Sequence, residues 1–153
     1  MSDWQSTLRV PARVLFAHGD SLGGELHLQP TTALHQRAET PLEMLNRPDR
    51  FFAMTLASGE VALVGKAQTA VVACHGFDPP ADPERLSVGK EQRLEVHVVG
   101  GRRYEGVART ELPPFHSRAL DFLNDDVGFL ELTHGDTVHF INRGMVQHVH
   151  PVD

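Results

Sequence analysis

The fold class predicted for this chain is mainly β: two tandem small antiparallel barrels, each with one short α-helix, packed together. Three observations carry that expectation. The chain has 153 residues with 41% hydrophobic side chains, a length that suits one ordinary domain or two very small ones. Its apolar runs alternate with polar residues at period two and are separated by glycine turns, the pattern of half-buried strands. The same succession of runs also occurs twice, and an internal repeat fixes how the rest is read.

The repeat is visible residue by residue. Val14-Leu15-Phe16-Ala17-His18-Gly19-Asp20-Ser21-Leu22-Gly23-Gly24 aligns with Val96-His97-Val98-Val99-Gly100-Gly101-Arg102-Arg103-Tyr104-Glu105-Gly106 at an offset of 82. Pro41-Leu42-Glu43-Met44-Leu45-Asn46 then matches Ala119-Leu120-Asp121-Phe122-Leu123-Asn124, and Phe52-Ala53-Met54-Thr55 matches Leu130-Glu131-Leu132-Thr133, both at 78. Val61 to Ala67 matches Val138 to Gly144, with Val72 on Val149, at 77. Small loop deletions account for the drift.

In each copy the first element is a hairpin, turning at His18-Gly19-Asp20 and at Gly100-Gly101. A short helix follows. Thr40-Pro41 supplies a capping residue and a first-turn proline, Leu42, Met44 and Leu45 an apolar face, and Ala119, Leu120, Phe122 and Leu123 their counterparts. Asn46 and Asn124 are expected to end these helices in the left-handed conformation. A second hairpin turns at Ala57-Ser58-Gly59 and at His134-Gly135-Asp136, and a last one at Gly65-Lys66 and Asn142-Arg143-Gly144. Between the copies, Gly76 to Arg85 holds three prolines and four charges, a semi-extended linker. The predicted organisation is a first repeat at 8–75, a Pro-rich acidic linker at 76–92 and a second repeat at 93–152. Repeats this small sit near the lower size limit for an independent core, so they are expected to pack together.

Charge narrows the partners. The net charge is −6, distributed as −1 over residues 1–77, −2 over 78–92 and −3 over 93–153. No segment has the basic excess that supplies most non-specific nucleic-acid affinity. Hydrophobic runs stay far short of the roughly 18 residues that cross a bilayer, and Met1 to Gln5 is not a signal peptide. A soluble, cytoplasmic protein without a membrane partner is expected. The single cysteine, Cys74, ends an apolar run and is read as a small buried residue.

The pattern Val14-x-Phe16-x-x-Gly19-x-x-Leu22-x-Gly24-x-Leu26, repeated as Val96-x-Val98-x-x-Gly101-x-x-Tyr104-x-Gly106-x-Ala108, resembles the first sequence block of Sm-like barrel proteins. Val138 to Val146 is similar to their second block, and Leu63-Val64-Gly65-Lys66-Ala67 is a looser version of it. The resemblance implies a five-stranded open barrel in each repeat that associates edge to edge, often into rings, and usually binds single-stranded RNA. Sm-like RNA binders carry an Asp and an Asn between strands two and three, whereas this chain has about 20 residues there, helix included. In that respect it looks more like uncharacterised bacterial relatives with a helix and a Leu-Asn ending before the third strand.

Two side-chain groups are candidate sites. If the Asn142-Arg143-Gly144 turn makes a tight hairpin, His139 lies beside or across from His148, and His148 and His150 share a strand face. Three imidazoles on one face suit zinc or another borderline metal. The competing reading is solvent-facing histidines, since no nearby carboxylate is fixed to orient them, and the first copy, with Ala62, Val71 and Ala73 at those positions, does not need them. Lys66 and Arg143 in matching turns, with Arg102 and Arg103 in another, are the candidate RNA phosphate contacts, and Tyr104 or Phe140 a base-stacking ring. The competing reading is solvated turns with basic side chains. In Phe51-Phe52 and Phe129-Leu130, strand alternation turns one member of each pair away from its own core, towards the other repeat or a partner chain.

No nucleophile elbow, phosphate-cradling loop or dinucleotide fingerprint occurs. The expectation is a non-catalytic interaction or assembly module without a cofactor, which binds a protein partner or associates with itself as a dimer or pseudo-symmetric ring. The alternatives are an Sm-like RNA-binding protein and, third, a metal-dependent enzyme built on the terminal histidines.

Overall fold

A computed structural model describes residues 7–30, 38–76, 90–110, 119–124 and 128–152. The first segment runs β1 (Leu8–Phe16), β2 (Ser21–Leu28), α1 (Pro41–Leu45), β3 (Phe51–Leu56), β4 (Val61–Gly65), a 3-10 turn (Lys66–Gln68) and β5 (Thr69–His75). The second runs β6 (Lys90–Val98), β7 (Arg102–Thr110), α2 (Ala119–Leu123), β8 (Phe129–His134), β9 (Thr137–Asn142), a 3-10 turn (Arg143–Met145) and β10 (Val146–Val152). Both helices stand where the sequence predicts them. The predicted linker lies mostly outside the described residues, and its last three residues, 90–92, already belong to β6.

At the start of α1 the Thr40 hydroxyl accepts from the Glu43 amide at 3.2 Å, and the Glu43 carboxylate accepts from the Thr40 amide at 3.0 Å. This reciprocal cap satisfies two otherwise orphaned donors, with Pro41 in the first turn where no donor is needed. Asn46 ends the helix at φ −95°, not in the expected left-handed conformation. Its side chain is committed instead to the backbone of Phe129.

All ten strands join one antiparallel sheet in the order β10-β6-β7-β8-β9-β5-β1-β2-β3-β4. The sheet is continuous and open, with β10 and β4 at its two ends. The first segment contributes the run β5-β1-β2-β3-β4 and the second β10-β6-β7-β8-β9. They meet where β5 pairs with β9 in the register Val71↔Ile141, Val72↔Phe140, Ala73↔His139, Cys74↔Val138 and His75↔Thr137.

The predicted last hairpin of each repeat is absent, because β4 does not pair with β5, nor β9 with β10. Each intervening 3-10 turn is tied instead to the end of an earlier strand: Ala17 N donates to Gln68 O at 3.0 Å and Val99 N to Met145 O at 2.9 Å. Those bonds start the outgoing strand on a new partner. β5 therefore lies against β1, and β10 against β6 in the register His148↔His97, Val149↔Val96 and His150↔Glu95.

The sheet curls around two apolar clusters. One gathers Val14, Leu26, Leu28, Met44, Leu45, Phe52, Met54 and Val64 from the first segment; the other gathers Leu94, Val96, Val98, Ala108, Leu130 and Leu132 from the second. The junction strands feed both. Val72 and Cys74 of β5 belong to the first cluster and Ala70 and Val71 to the second, while Phe129, Val138 and Phe140 cross over to the first. Of the Phe129-Leu130 pair, Leu130 packs in the cluster of its own segment and Phe129 in that of the other. Cys74 is fully buried, and desolvation pushes its thiol up to about 12.

Two glycines let strands cross closely. A Cβ on Gly24 would lie 2.3 Å from Thr55 O, and one on Gly106 would lie 2.5 Å from Thr133 O. The same contact occurs at corresponding positions of the two segments. No helix among the described residues is long and apolar enough to cross a membrane. Because the obstacle at Gly24 is backbone, Gly24→Ala is expected to destabilise the fold by roughly 1–3 kcal/mol, as overpacking does. Chemical denaturation measures this, and a variant as stable as wild type would mean that β2 and β3 do not approach so closely.

Candidate functional site

Of the basic turn residues, two serve the helices. Helix C-termini leave carbonyls without intrahelical donors. Lys66 Nζ donates to Met44 O at 3.1 Å and to Arg47 O at 3.0 Å. Desolvation lowers its pKa, with Asp49 opposing the shift. Arg143, in the matching turn, donates to Phe122 O at 3.1 Å and to Phe129 O at 3.0 Å, with its guanidinium 5.0 Å from the centroid of the Phe122 ring. Both cations therefore clamp a helix end to the turn after the following hairpin. Arg102 donates to Gly19 O at 3.1 Å, bridging the turns of the two segments, and exposed Arg103 lies 3.9 Å from Glu95. Tyr104 is half-buried against His139, with ring centroids 4.7 Å apart, and Phe140 is completely buried.

The histidines divide differently from the sequence expectation. His148 and His150 share the outer face of β10, but the third imidazole beside them is His97 of β6, not His139. Ring centroids are 4.2 Å apart for His97 and His148, 5.4 Å for His97 and His150, and 5.1 Å for His148 and His150. One ring nitrogen from each can be chosen so that all lie within 4.8 Å of one another. Glu95 accepts from or shares a proton with His97 Nε2 at 2.6 Å; that hydrogen bond, with help from Arg103, holds its carboxyl below the usual range against desolvation. The sequence signal for His97 was present, two residues beyond Glu95 on an alternating strand. Assigning β10 to β9 instead of β6 hid it.

His139 sits on β9 opposite Ala73 and Leu132. Its Nδ1 is enclosed and has no hydrogen-bond partner among the described residues. Desolvation lowers its pKa, reinforced by His75 and His134.

The third feature is the contrast between the paired and unpaired strand edges. At the inner junction Phe129, Val138 and Phe140 are 3%, 1% and 0% exposed; their counterparts Phe51, Val61 and Leu63 on the β3–β4 end are 61%, 44% and 68% exposed. A cavity of about 810 Å³ opens along that end, lined among others by Phe16, Leu22, Phe51, Ala62 and Leu63. Asn46 spans the junction: its Nδ2 donates to Phe129 O at 3.2 Å and its Oδ1 accepts from Phe129 N at 2.7 Å. Asn142 adds bonds to Lys66 O and Thr69 O at 3.3 and 3.0 Å. Asn124 holds the position in the second segment that Asn46 holds in the first. Sequence reasoning expected one outward member in each of the pairs Phe51-Phe52 and Phe129-Leu130 without saying which, and read both asparagines only as helix ends.

Compared with protein-family models, curated proteins and solved structures, the chain has no match.

The surroundings of His139 set a pH dependence. Its folded pKa is depressed, so the unfolded chain binds more protons as pH falls below the ordinary histidine value near 6.5, and stability is lost in that direction. Removing the imidazole with His139→Gln should flatten the decline in melting temperature between about pH 7 and pH 5. Equal slopes for the two proteins would show that His139 protonates as easily when folded.

Proposed function

We propose that the chain is a non-catalytic assembly module: two Sm-like barrel repeats, joined through β5 and β9, that associate head to tail with further copies through the free edges β4 and β10. The observation that carries this reading is the exposure contrast between Phe51, Val61 and Leu63 and their buried counterparts Phe129, Val138 and Phe140. An end strand presents unpaired amides and carbonyls that a further strand can satisfy. β4 corresponds to β9 and β10 to β5, so the inner junction serves as the template for an outer one.

Carrying the inner register across pairs Val149 with Leu63, His148 with Val64 and His150 with Ala62 of the next copy. Phe51 and Leu63 would then enter the second-segment cluster of the neighbour, as Phe129 and Phe140 enter the first-segment cluster within the chain. Asn124 would meet the backbone of Phe51 as Asn46 meets Phe129. Burying a side chain of this size is worth roughly 1.5–3 kcal/mol, enough for a few such residues to drive association. Because the two edges differ, the contact is heterologous, and it gives a ring where the rotation closes and a filament where it does not.

Support for the two-repeat reading comes from features that recur: the order of elements, the Gly24 and Gly106 crossings, the Lys66 and Arg143 clamps, and the Ala17 and Val99 amide bonds. The RNA reading gains nothing from the turn cations, since Lys66 and Arg143 are committed to carbonyls within the chain. Sedimentation velocity at micromolar concentration is expected to give a mass several times 16.9 kDa for wild type and a folded single chain for Leu63→Lys. A wild type that stays monomeric would overturn the proposal.

A further inference from the structure

Separately from edge pairing, the geometry points to a metal centre: we infer that His97, His148 and His150 bind one borderline divalent transition-metal ion, of the zinc class, on the outer face of β6 and β10. The inference does not rest on self-association. Its basis is convergence. The counterparts of these residues in the first segment are Leu15, Val71 and Ala73, of which Leu15 and Val71 pack against the second apolar cluster. The framework is thus satisfied by apolar side chains at all three positions, yet in the second segment each carries an imidazole, and the cross-strand register brings the three together.

The chemistry of the group fits such an ion. Imidazole nitrogen is the preferred ligand type for zinc, cobalt(II), nickel(II) and copper(II), and three histidines with an open fourth position form a known arrangement for a four-coordinate ion. The candidate nitrogens lie within 4.8 Å of one another, and the two β10 side chains are exposed, so small rotations about their own bonds suffice to bring them onto one centre. Glu95 supplies the carboxylate that orients a ligating histidine: its contact with His97 Nε2 leaves Nδ1 as the ligating nitrogen, and its charge offsets part of the ion's. No other group of three His, Cys, Asp or Glu among the described residues brings ligand atoms this close. His139, although the sequence grouped it with His148, lies on β9 against Tyr104 and takes no part.

The test uses the full, untagged chain stripped with a chelator and titrated with Zn²⁺ by calorimetry, and with Co²⁺ by visible absorption. One ion per chain is expected, with the intense absorption of four-coordinate cobalt. His148→Gln and His97→Gln should each weaken binding at least about tenfold, and Glu95→Gln about tenfold without removing a ligand, as loss of an orienting partner does. His139→Gln should bind as wild type does, and Leu63→Lys at least as tightly. A His97→Gln/His148→Gln/His150→Gln variant that folds normally by circular dichroism and still binds as tightly as wild type would overturn the assignment. So would a His139→Gln variant that loses binding to the same degree.

Discussion

The β5·β9 pairing is the contact on which the rest of the molecule depends. A five-stranded antiparallel run leaves two edges with unsatisfied amides and carbonyls, and each segment of this chain has such a run. Pairing β5 with β9 removes one edge from each segment. It also explains why both strands bury apolar side chains on both faces, Val72 with Val71 on β5 and Phe140 with Ile141 on β9, since they contribute to two clusters at once. β5 is buried at six of its seven positions, whereas β10, its counterpart, is buried at none.

The short helices acquire their meaning from that junction. Each is only five residues long, too short to be stable alone. Each is held by a cation from a 3-10 turn, and α1 ends in an asparagine that reaches across to the first residue of β8. The turn, the helix end and the strand start form one bonded unit, which sets where the β3–β4 and β8–β9 hairpins present their outer sides. Amino acids that look like surface basics and helix terminators in the sequence are therefore the fasteners of the junction.

Much of the fold was legible. Alternation located the strands, Thr40-Pro41 marked a helix start, and one member of the Phe129-Leu130 pair was expected to face away from its own core without its being known which. What stayed hidden was pairing at long range. Periodicity tells which residues share a face but not which strand lies alongside, and the turn at Asn142-Arg143-Gly144 reads as a hairpin until the bond from Val99 to Met145 is known. That single misassignment placed His139 beside His148 in place of His97. The role of Asn46 was equally out of reach, because its partner Phe129 is 83 residues away.

The two ends of the sheet are not equivalent. The β4 end is apolar and grooved, whereas the β10 end carries Pro151, which lacks an amide donor, and the three histidines. An ion held by those histidines would occupy the face that an outer junction covers, so metal binding and edge pairing would compete for it. The central claim is that the inner junction is repeated between copies, and disulfide trapping tests it most directly. With metal removed by a chelator, a Leu63→Cys/Val149→Cys chain under mild oxidation should yield covalent species at multiples of the chain mass on a non-reducing gel, each single variant remaining uncrosslinked. Monomer alone from the double variant, at concentrations where wild type is associated, would contradict the shared register.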